Sequence, residues 1–107
     1  MKGCVDNKMD QIARFKYINI YTDHNGHFIV HNMRKQFHDG HTHINNYRAA
    51  KYVAYLASYK KLPKKHISNY LIESIIRLST DEEYIKSMRE FQRSQNKFKN
   101  KKVSKKE

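Results

Sequence analysis

Residues 17–32 alternate between hydrophobic and polar positions on either side of a turn signal. Between the two runs, Asp23-His24-Asn25-Gly26 ends in Asn-Gly, whose glycine readily supplies the positive φ of a tight turn. A three-residue loop with Gly26 in the left-handed position puts the hydrophobic side chains on one face of a hairpin: Ile18, Ile20, Phe28 and Val30. The opposite face then carries Tyr17, Asn19, Tyr21 and His31. The pattern predicts an antiparallel hairpin with one face in the core.

The segments on either side of this hairpin carry weaker signals. Before it, the hydrophobic residues fit one face of a short helix after Asp6: Met9, Ile12, Ala13 and Phe15. After it, Asp39-Gly40 marks a second turn, and the run from His41 to Ile44 fits a short third strand.

Helical spacing of hydrophobic residues dominates from residue 47 onward. Asn45 or Asn46 can cap a first helix over 47–60, whose sheet-facing residues are Ala49, Tyr52, Val53 and Leu56. A second helix over 66–78 has the stripe Ile67, Leu71, Ile75 and Leu78, widened by Ile72 and Ile76. A third helix follows a capping box of Thr80 and Glu83 and continues through Tyr84, Ile85, Met88 and Phe91.

These elements predict an α+β fold, in which a small N-terminal antiparallel hairpin, with room for a third strand, packs on about three helices. A chain of 107 residues fits one domain. We expect residues 1–92 to form that single compact domain. Residues 93–107 are poor in hydrophobic side chains and are expected to form a flexible, basic, disordered tail.

The charge of the chain indicates an anionic partner. Its 22 Lys and Arg residues against 10 Asp and Glu residues give a net charge of +12, and such an excess attracts anions. Residues 1–46 have a net charge of +2 and residues 47–107 one of +10, so the excess belongs to the helices and the tail. Nucleic acid is the expected partner, ahead of acidic proteins and anionic lipid. No segment has the ~18 hydrophobic residues of a membrane span, so no membrane is expected.

The helix from Tyr47 has a polar face opposite its hydrophobic one. Arg48, Lys51, Tyr55 and Ser58 recur there at spacings of three and four, which suits contacts to successive phosphates. A solvated helix face has the same pattern, but the neighbouring lysines favour binding. These are Lys60, Lys61, Lys64 and Lys65, which bring six Lys and Arg residues into eighteen positions.

Two further groups of residues are candidates for nucleic-acid contacts. The tail contributes the cations Arg93, Lys97, Lys99, Lys101 and Lys102, and each phosphate that they neutralise would release a counterion. These contacts carry no sequence preference. On the hairpin, Tyr17 and Tyr21 are candidates for stacking on bases.

Six of the seven histidines lie between residues 24 and 43. In the motif His38-x-x-His41-x-His43 the ligands are close enough in sequence for a metal, and on a strand His41 and His43 point the same way. Zinc sites demand strict geometry, and no cysteine accompanies this cluster. We therefore expect no metal site, and we interpret the histidines as polar loop residues that gain charge below about pH 6.5.

The sequence offers little for catalysis. Gly3, Gly26 and Gly40 make no glycine-rich phosphate loop, and a Cys–His nucleophile would need Cys4, close to the N-terminus. A small nuclease built on the histidine cluster is the remaining enzymatic alternative. We expect a protein without enzymatic activity or cofactor. Because Cys4 is the only cysteine, no intrachain disulfide is possible, which favours a reducing, cytoplasmic location.

The hairpin, the third strand and the Ala-rich helix after them resemble the layout of small sheet-plus-helix nucleic-acid modules, such as integrase-arm and double-stranded-RNA domains. The similarity lies in the order of the elements, without a diagnostic motif.

Two functions fit these observations. The first is a small, basic, nucleic-acid-binding accessory protein. The alternative is an interaction protein of phage or mobile-element type that docks on a nucleic-acid-processing enzyme and inhibits or recruits it. Usage rich in Lys, Asn, Ile and Tyr suits an AT-rich bacterial genome or its phages. Binding of DNA or RNA by the isolated protein at two salt concentrations separates the two functions.

Overall fold

The computed structural model describes the backbone of residues 9–106 and the side chains of residues 9–97. Four strands form one antiparallel sheet in the order β1-β2-β3-β4: β1 Asp10–Phe15, β2 Ile18–Thr22, β3 Phe28–Asn32 and β4 His41–Ile44. Three helices follow: α1 Tyr47–Tyr59, α2 Asn69–Leu78 and α3 Glu82–Lys106. The predicted α+β class is confirmed, with four strands and three helices in the described part of the chain.

The predicted hairpin and its register are confirmed. Ile20 lies opposite Val30, and Thr22 lies opposite Phe28. The N–H of Asp23 donates to the carbonyl of His27 at 3.4 Å and so closes the loop over residues 24–26. Gly26 has a φ of +85°, as the turn signal predicted, and His24 also lies in the left-handed region at +65°. The third strand is present as β4, with Phe28 opposite Ile44.

The short helix predicted around residues 9–15 is wrong in the described residues, because this segment is strand β1. Phe15 pairs with Ile18 across the two-residue turn Lys16-Tyr17, in which Lys16 has a φ of +56°. The register shifts between Gln11 and Ala13, so Ile12 sits in a bulge and is left exposed. Because of this bulge, hydrophobic and polar residues do not alternate along β1 as they do in the regular strands that can be predicted from sequence. Asp6, from which the helix was predicted to start, lies outside the described residues.

The core lies between one face of the sheet and the helices. The fully buried residues of β2 and β3 that face it include Ile18, Ile20 and Val30, as predicted. Helix α1 contributes Val53 and Leu56, with Ala50, Ala54 and Ala57 also buried. Of the stripe predicted for α2, Ile75 and Leu78 are fully buried, as is Ile72 beside them, while Leu71 and Ile76 are half-buried against the same cluster. Ile67 is buried too, but it lies before α2, which begins at Asn69 and not at residue 66 as predicted. From α3, Tyr84 and Met88 complete the core.

The helix starts are fixed by side-chain caps. Asn46 accepts from the N–H of Ala49 and caps α1, which confirms one of the two predicted residues. Ser68 caps α2 in the same way through the N–H of Leu71. The capping box of Thr80 and Glu83 is wrong, because Asp81 accepts from the N–H groups of Glu83 and Tyr84 at 2.9 and 3.3 Å. A carboxylate at this position also complements the positive end of the helix dipole.

Helix α3 continues past residue 92 without a break and runs to Lys106. Gln95 bonds to both backbone groups of Ile67, so residues 93–97 belong to the body of the fold and not to a separate tail. Flexibility of the residues beyond 97 stays a prediction. Within the described residues, none of the helices combines the length and the hydrophobicity needed to cross a membrane.

Candidate nucleic-acid interface

The polar face of α1 is exposed over three of its four predicted residues. Arg48, Lys51 and Tyr55 are open to solvent, and the ammonium of Lys51 lies 5.3 Å from the ring centroid of Tyr47. Ser58 is different. It is buried, and its hydroxyl donates to the carbonyl of Phe15 at 2.7 Å, so its predicted place on the exposed face is wrong. Ser58 joins α1 to the edge strand instead.

Residues 60–65 follow α1 as a segment that we name the lysine loop. Its first residue, Lys60, adopts the left-handed conformation at φ +56°, and its N–H donates to the carbonyl of Leu56. The hydroxyl of Tyr84 donates its single proton between two carbonyls, those of Leu56 at 3.1 Å and Lys61 at 2.7 Å. These contacts fix the start of the loop on the body of the protein. Burial raises the pKa of the Tyr84 hydroxyl, so it remains a donor at every physiological pH.

One lysine of the loop is engaged by an acidic residue. The ammonium of Lys60 lies 3.0 Å from the carboxylate of Asp81, and its hydrogen bond is the largest cause of the lowered pKa of that carboxyl. Lys61, Lys64 and Lys65 form no ion pair with any side chain among residues 9–97. Lys65 instead lies 5.9 Å from the ring centroid of Tyr52.

A cavity of about 470 Å³ separates the lysine loop from the exposed face of α1. We name it the aromatic groove, and its lining residues are Tyr52, Tyr55, Leu56, Lys61, Leu62 and Lys64. Rings and aliphatic side chains form its walls, and lysines lie among them. A groove of this composition suits a ligand with flat hydrophobic groups and negative charge.

A second cavity, of about 520 Å³, lies at the C-terminal end of α1. We name it the basic pocket, and its lining residues are Arg14, Lys16, Tyr17, Arg34, Ser58, Tyr59 and Lys60. They come from β1, the β1–β2 turn, the segment after β3, and the end of α1. The lining contains four cations and no carboxylate.

Aromatic rings and a backbone carbonyl hold the cations of the basic pocket. The guanidinium of Arg34 lies 4.2 Å from the ring centroid of Tyr17, and the ammonium of Lys16 lies 4.8 Å from that of Tyr59. The Nε of Arg14 donates to the carbonyl of Lys16 at 2.7 Å. Cation–π contacts orient a charged group without neutralising it. Arg14, Lys16 and Arg34 form no ion pair within the described residues.

Sequence reasoning did not select Arg14, Lys16 or Arg34. Residues 1–46 have a net charge of only +2, so the charge pattern gave no reason to single out the three cations that the fold brings together. The one available signal was Arg-x-Lys at residues 14–16, directly before the hairpin. On the short helix predicted for this segment, that pair of cations indicated no site.

The two tyrosines predicted to stack on bases lie in different environments. Tyr17 lines the basic pocket, where Arg34 lies over its ring. Tyr21 is half-buried in β2 and its hydroxyl accepts from the carboxamide of Asn19 at 3.1 Å. Tyr55 and Tyr59 are 39% and 43% exposed, with ring centroids 5.4 Å apart, and Tyr59 has the ammonium of Lys16 over its ring.

The tail residues predicted to bind phosphate divide into two groups. Arg93 and Lys97 are exposed on α3. Beside this stretch lies a cavity of about 410 Å³ that is lined by Lys64, Lys65, Phe91 and Gln95, among others. Lys99, Lys101 and Lys102 fall in the part of α3 whose side chains are outside the described residues.

Three of the six clustered histidines, His31, His41 and His43, lie on the sheet face that points away from the helices, and the other three lie in loops. His41 and His43 point the same way, as expected on a strand, with ring centroids 5.1 Å apart. The ring of Phe37 stacks on His41 at 4.3 Å, and the Nδ1 of His41 is 2.6 Å from the carbonyl of Phe37. In residues 9–97, no three His, Cys, Asp or Glu side chains come close enough to share a metal ion. Cys4, the alternative nucleophile, lies outside the described residues.

Comparison of the chain with protein-family models, with curated proteins and with solved structures gives no match in any of the three.

Proposed function

We propose that the protein is a nucleic-acid-binding accessory protein that grips phosphates with the exposed face of α1, the lysine loop and the basic C-terminal residues. The observation that carries the proposal is that cations without a carboxylate partner among residues 9–97 lie beside exposed tyrosines around the end of α1. Phosphate contacts in nucleic-acid complexes come largely from Arg and Lys together with hydroxyl side chains.

The arrangement of charge supports this proposal over a plain solvated surface. Two of the Lys and Arg residues among residues 9–97, Lys60 and Arg89, form ion pairs with carboxylates. The cations of the α1 face and the rest of the lysine loop have no such partner there. A surface tuned only for solubility usually mixes both signs of charge. Cations left without carboxylates nearby are instead available to an external polyanion.

The positions of the tyrosines support a second kind of contact, with the bases of the nucleic acid, in addition to the contacts with its phosphates. Tyr52 and Tyr55 line the aromatic groove next to Lys61 and Lys64. Stacking of a base on an aromatic ring contributes ~1–3 kcal/mol and tolerates any base. A strand that follows the lysine loop would therefore place its phosphates on the lysines and unpaired bases in the groove. The proposed function involves binding without a catalytic step, in the reducing cytoplasm.

The experiment is a fluorescence-anisotropy titration of labelled single-stranded and duplex oligonucleotides at about 50 and about 200 mM salt. Affinity should fall steeply with salt, with a slope of roughly −0.7 per neutralised phosphate on single strands and roughly −0.9 on duplex DNA. The double variant Arg48→Ala/Lys51→Ala should weaken binding and make this slope shallower. Failure of the isolated protein to bind DNA or RNA even at the lower salt concentration would overturn the proposal.

The charge-matched control is Lys86→Glu, which also lowers the net charge by two but lies exposed on α3 outside the three cavities. Equal weakening by the control and by Arg48→Ala/Lys51→Ala would show that only net charge matters, and would contradict an interface on α1. Thermal unfolding of each variant shows whether the fold is retained.

A second function, docking on a nucleic-acid-processing enzyme, is favoured by one observation. Leu62 is 45% exposed at the edge of the aromatic groove, between Lys61 and Pro63. A protein segment with a hydrophobic side chain flanked by carboxylates would fit this groove. An interaction protein of phage or mobile-element type would then form a tight complex with one partner at ~150 mM salt, where exposed charge pairs are screened. The Leu62→Ser variant should weaken that complex and leave the salt slope of nucleic-acid binding unchanged, because the substitution removes no cation.

A further inference from the structure

The basic pocket has properties that a phosphate-tracking surface does not need. Its four cations come from separate parts of the fold and line a single concavity of about 520 Å³. A nucleic-acid strand that runs along a surface contacts cations one after another, whereas a concavity encloses a single chemical group of its ligand. Ligand sites in proteins are clefts of roughly this size, about 300–1,000 Å³.

The charge in the pocket indicates the kind of group that it holds. Arg14, Lys16 and Arg34 have no carboxylate partner within the described residues, and Lys60 shares its charge with Asp81. An internal phosphodiester brings one negative charge. A phosphomonoester brings about 1.5 to 2 at neutral pH and three acceptor oxygens, so it neutralises more of the pocket.

The geometry of the cations favours several simultaneous hydrogen bonds from planar guanidinium groups to one ligand. The guanidinium of Arg34 lies over Tyr17, and that of Arg14 is tied through Nε to the carbonyl of Lys16. These contacts restrain both groups but leave terminal guanidinium N–H groups without a protein partner among the described residues. Guanidinium groups form strong paired hydrogen bonds to phosphate oxygens, and restraint before binding lowers the entropic cost.

We propose that the basic pocket binds a phosphomonoester, and that its ligand is the terminal phosphate of a nucleic-acid strand. This inference rests on the proposed function, since a strand bound along α1 and the lysine loop would bring its end to the neighbouring pocket. Arg14 and Arg34 hold the phosphate oxygens, Lys16 and Lys60 add charge, and Tyr59 lies beside the terminal nucleotide. The protein then distinguishes a phosphorylated strand end from a hydroxyl end.

The test uses one single-stranded oligonucleotide with an internal fluorescent label, prepared with a 5′-phosphate, a 3′-phosphate or hydroxyls at both ends. We expect one of the phosphorylated forms to bind about tenfold tighter than the hydroxyl form, which corresponds to roughly one charge-assisted hydrogen bond. Equal affinity for all three forms overturns the inference while leaving the proposed function in place. Absence of binding to all three overturns both.

Variants test whether the basic pocket causes the tighter binding of the phosphorylated strand. Arg14→Gln/Arg34→Gln should abolish the advantage of the phosphorylated strand and change the affinity for the hydroxyl strand little. Arg48→Ala/Lys51→Ala should weaken both strands and keep the advantage, and Lys86→Glu should keep it as well. An advantage that survives Arg14→Gln/Arg34→Gln in a folded protein overturns the assignment.

A competition experiment distinguishes a strand end from a free nucleotide. A nucleoside monophosphate added at millimolar concentration should displace the phosphorylated strand only weakly, because it lacks the contacts along α1. If the mononucleotide instead binds more tightly than the phosphorylated strand, the pocket serves free nucleotides and the strand-end assignment is wrong.

Discussion

The carboxamide of Asn32 donates a hydrogen bond of 2.7 Å to the carbonyl of Leu78, the last residue of α2. Both residues are buried. The oxygen of the same carboxamide accepts from the backbone N–H of Arg34 at 2.7 Å. A helix end leaves carbonyls without intrahelical partners, and those that are buried must be satisfied from elsewhere. Asn32 therefore joins the sheet to the end of α2 through a fully buried polar contact.

Replacing Asn32 by Ala should destabilise the protein by about 1–3 kcal/mol, because the Leu78 carbonyl would remain buried without its donor. Urea unfolding measures the loss as a lower midpoint at an unchanged m-value. The matched control is Asn45→Ala, at an exposed asparagine, which should change the free energy of unfolding by less than about 0.5 kcal/mol. Similar midpoints for the two variants would contradict a structural role for the Asn32–Leu78 contact.

The sequence predicted those parts of the fold that rest on a regular period. The period-two alternation identified the hairpin, which buries Ile18, Ile20 and Val30 on one face. Helical spacing identified α2, which buries Ile75 and Leu78 of the predicted stripe. Strand β1 escaped prediction because its bulge at Ile12 breaks the alternation. Asn32 follows the alternation onto the core face, but its partner is a backbone group 46 residues away, which no local pattern encodes.

The candidate site was predicted only where it is local in sequence. Arg48, Lys51 and the lysine loop lie close together in the chain, and charge patterning identified them. The basic pocket depends on the turn at Lys16-Tyr17 and on the pairing of β1 with β2, which bring Arg14 and Lys16 to the end of α1. Such a site follows from the tertiary fold, so its members look unrelated in the sequence.

The central position of α2 predicts a large effect of truncating Ile75. This side chain is fully buried, and its replacement by Ala should cost about 2–5 kcal/mol of unfolding free energy. The control, Ile12→Ala, removes the same atoms from a residue that is 41% exposed in the bulge of β1, and should cost less than about 1 kcal/mol. Chemical denaturation checks both. A cost for Ile75→Ala below that of Ile12→Ala would mean that α2 does not form the centre of the core.

His43 should make the fold sensitive to mild acid. Its side chain is largely exposed, but partial desolvation lowers the pKa of its imidazole, and the neighbouring His41 lowers it further. In the unfolded chain the pKa is about 6.5, so the unfolded state takes up the proton first as the pH falls. Stability is therefore unaffected by this group above about pH 7 and decreases as the pH falls below about 6.5. His43→Gln should lose less stability over this acid range than the parent protein does.

The control for this pH dependence is His66→Gln, an exposed histidine next to the lysine loop. Thermal midpoints measured at about pH 7, 6 and 5 should fall in parallel for the parent protein and for His66→Gln. The curve for His43→Gln should be flatter. If it runs parallel to the others, protonation of His43 does not couple to folding.

Gln95 determines where the basic C-terminal residues can be removed without damage to the fold. Its carboxamide donates to the carbonyl of Ile67 at 2.7 Å and accepts from the N–H of the same residue at 3.1 Å. These bonds satisfy the backbone immediately before α2. Deletion of residues 93–107 should therefore lower the thermal midpoint, at a cost of roughly 1–3 kcal/mol. Deletion of residues 98–107 leaves both bonds in place and should change the midpoint little.

The shorter deletion isolates the contribution of the C-terminal lysines to nucleic-acid binding. Residues 98–107 contain five lysines, so their removal should reduce the salt slope by at most about 3.5 on single strands or about 4.5 on duplex DNA. Affinity should fall alike for oligonucleotides of different sequence, because contacts to phosphate read no bases. Replacing the five lysines by Gln in the full-length chain should reproduce the shallower slope. If the shorter deletion leaves the slope unchanged, the phosphates are held by α1 and the lysine loop, without the C-terminal lysines.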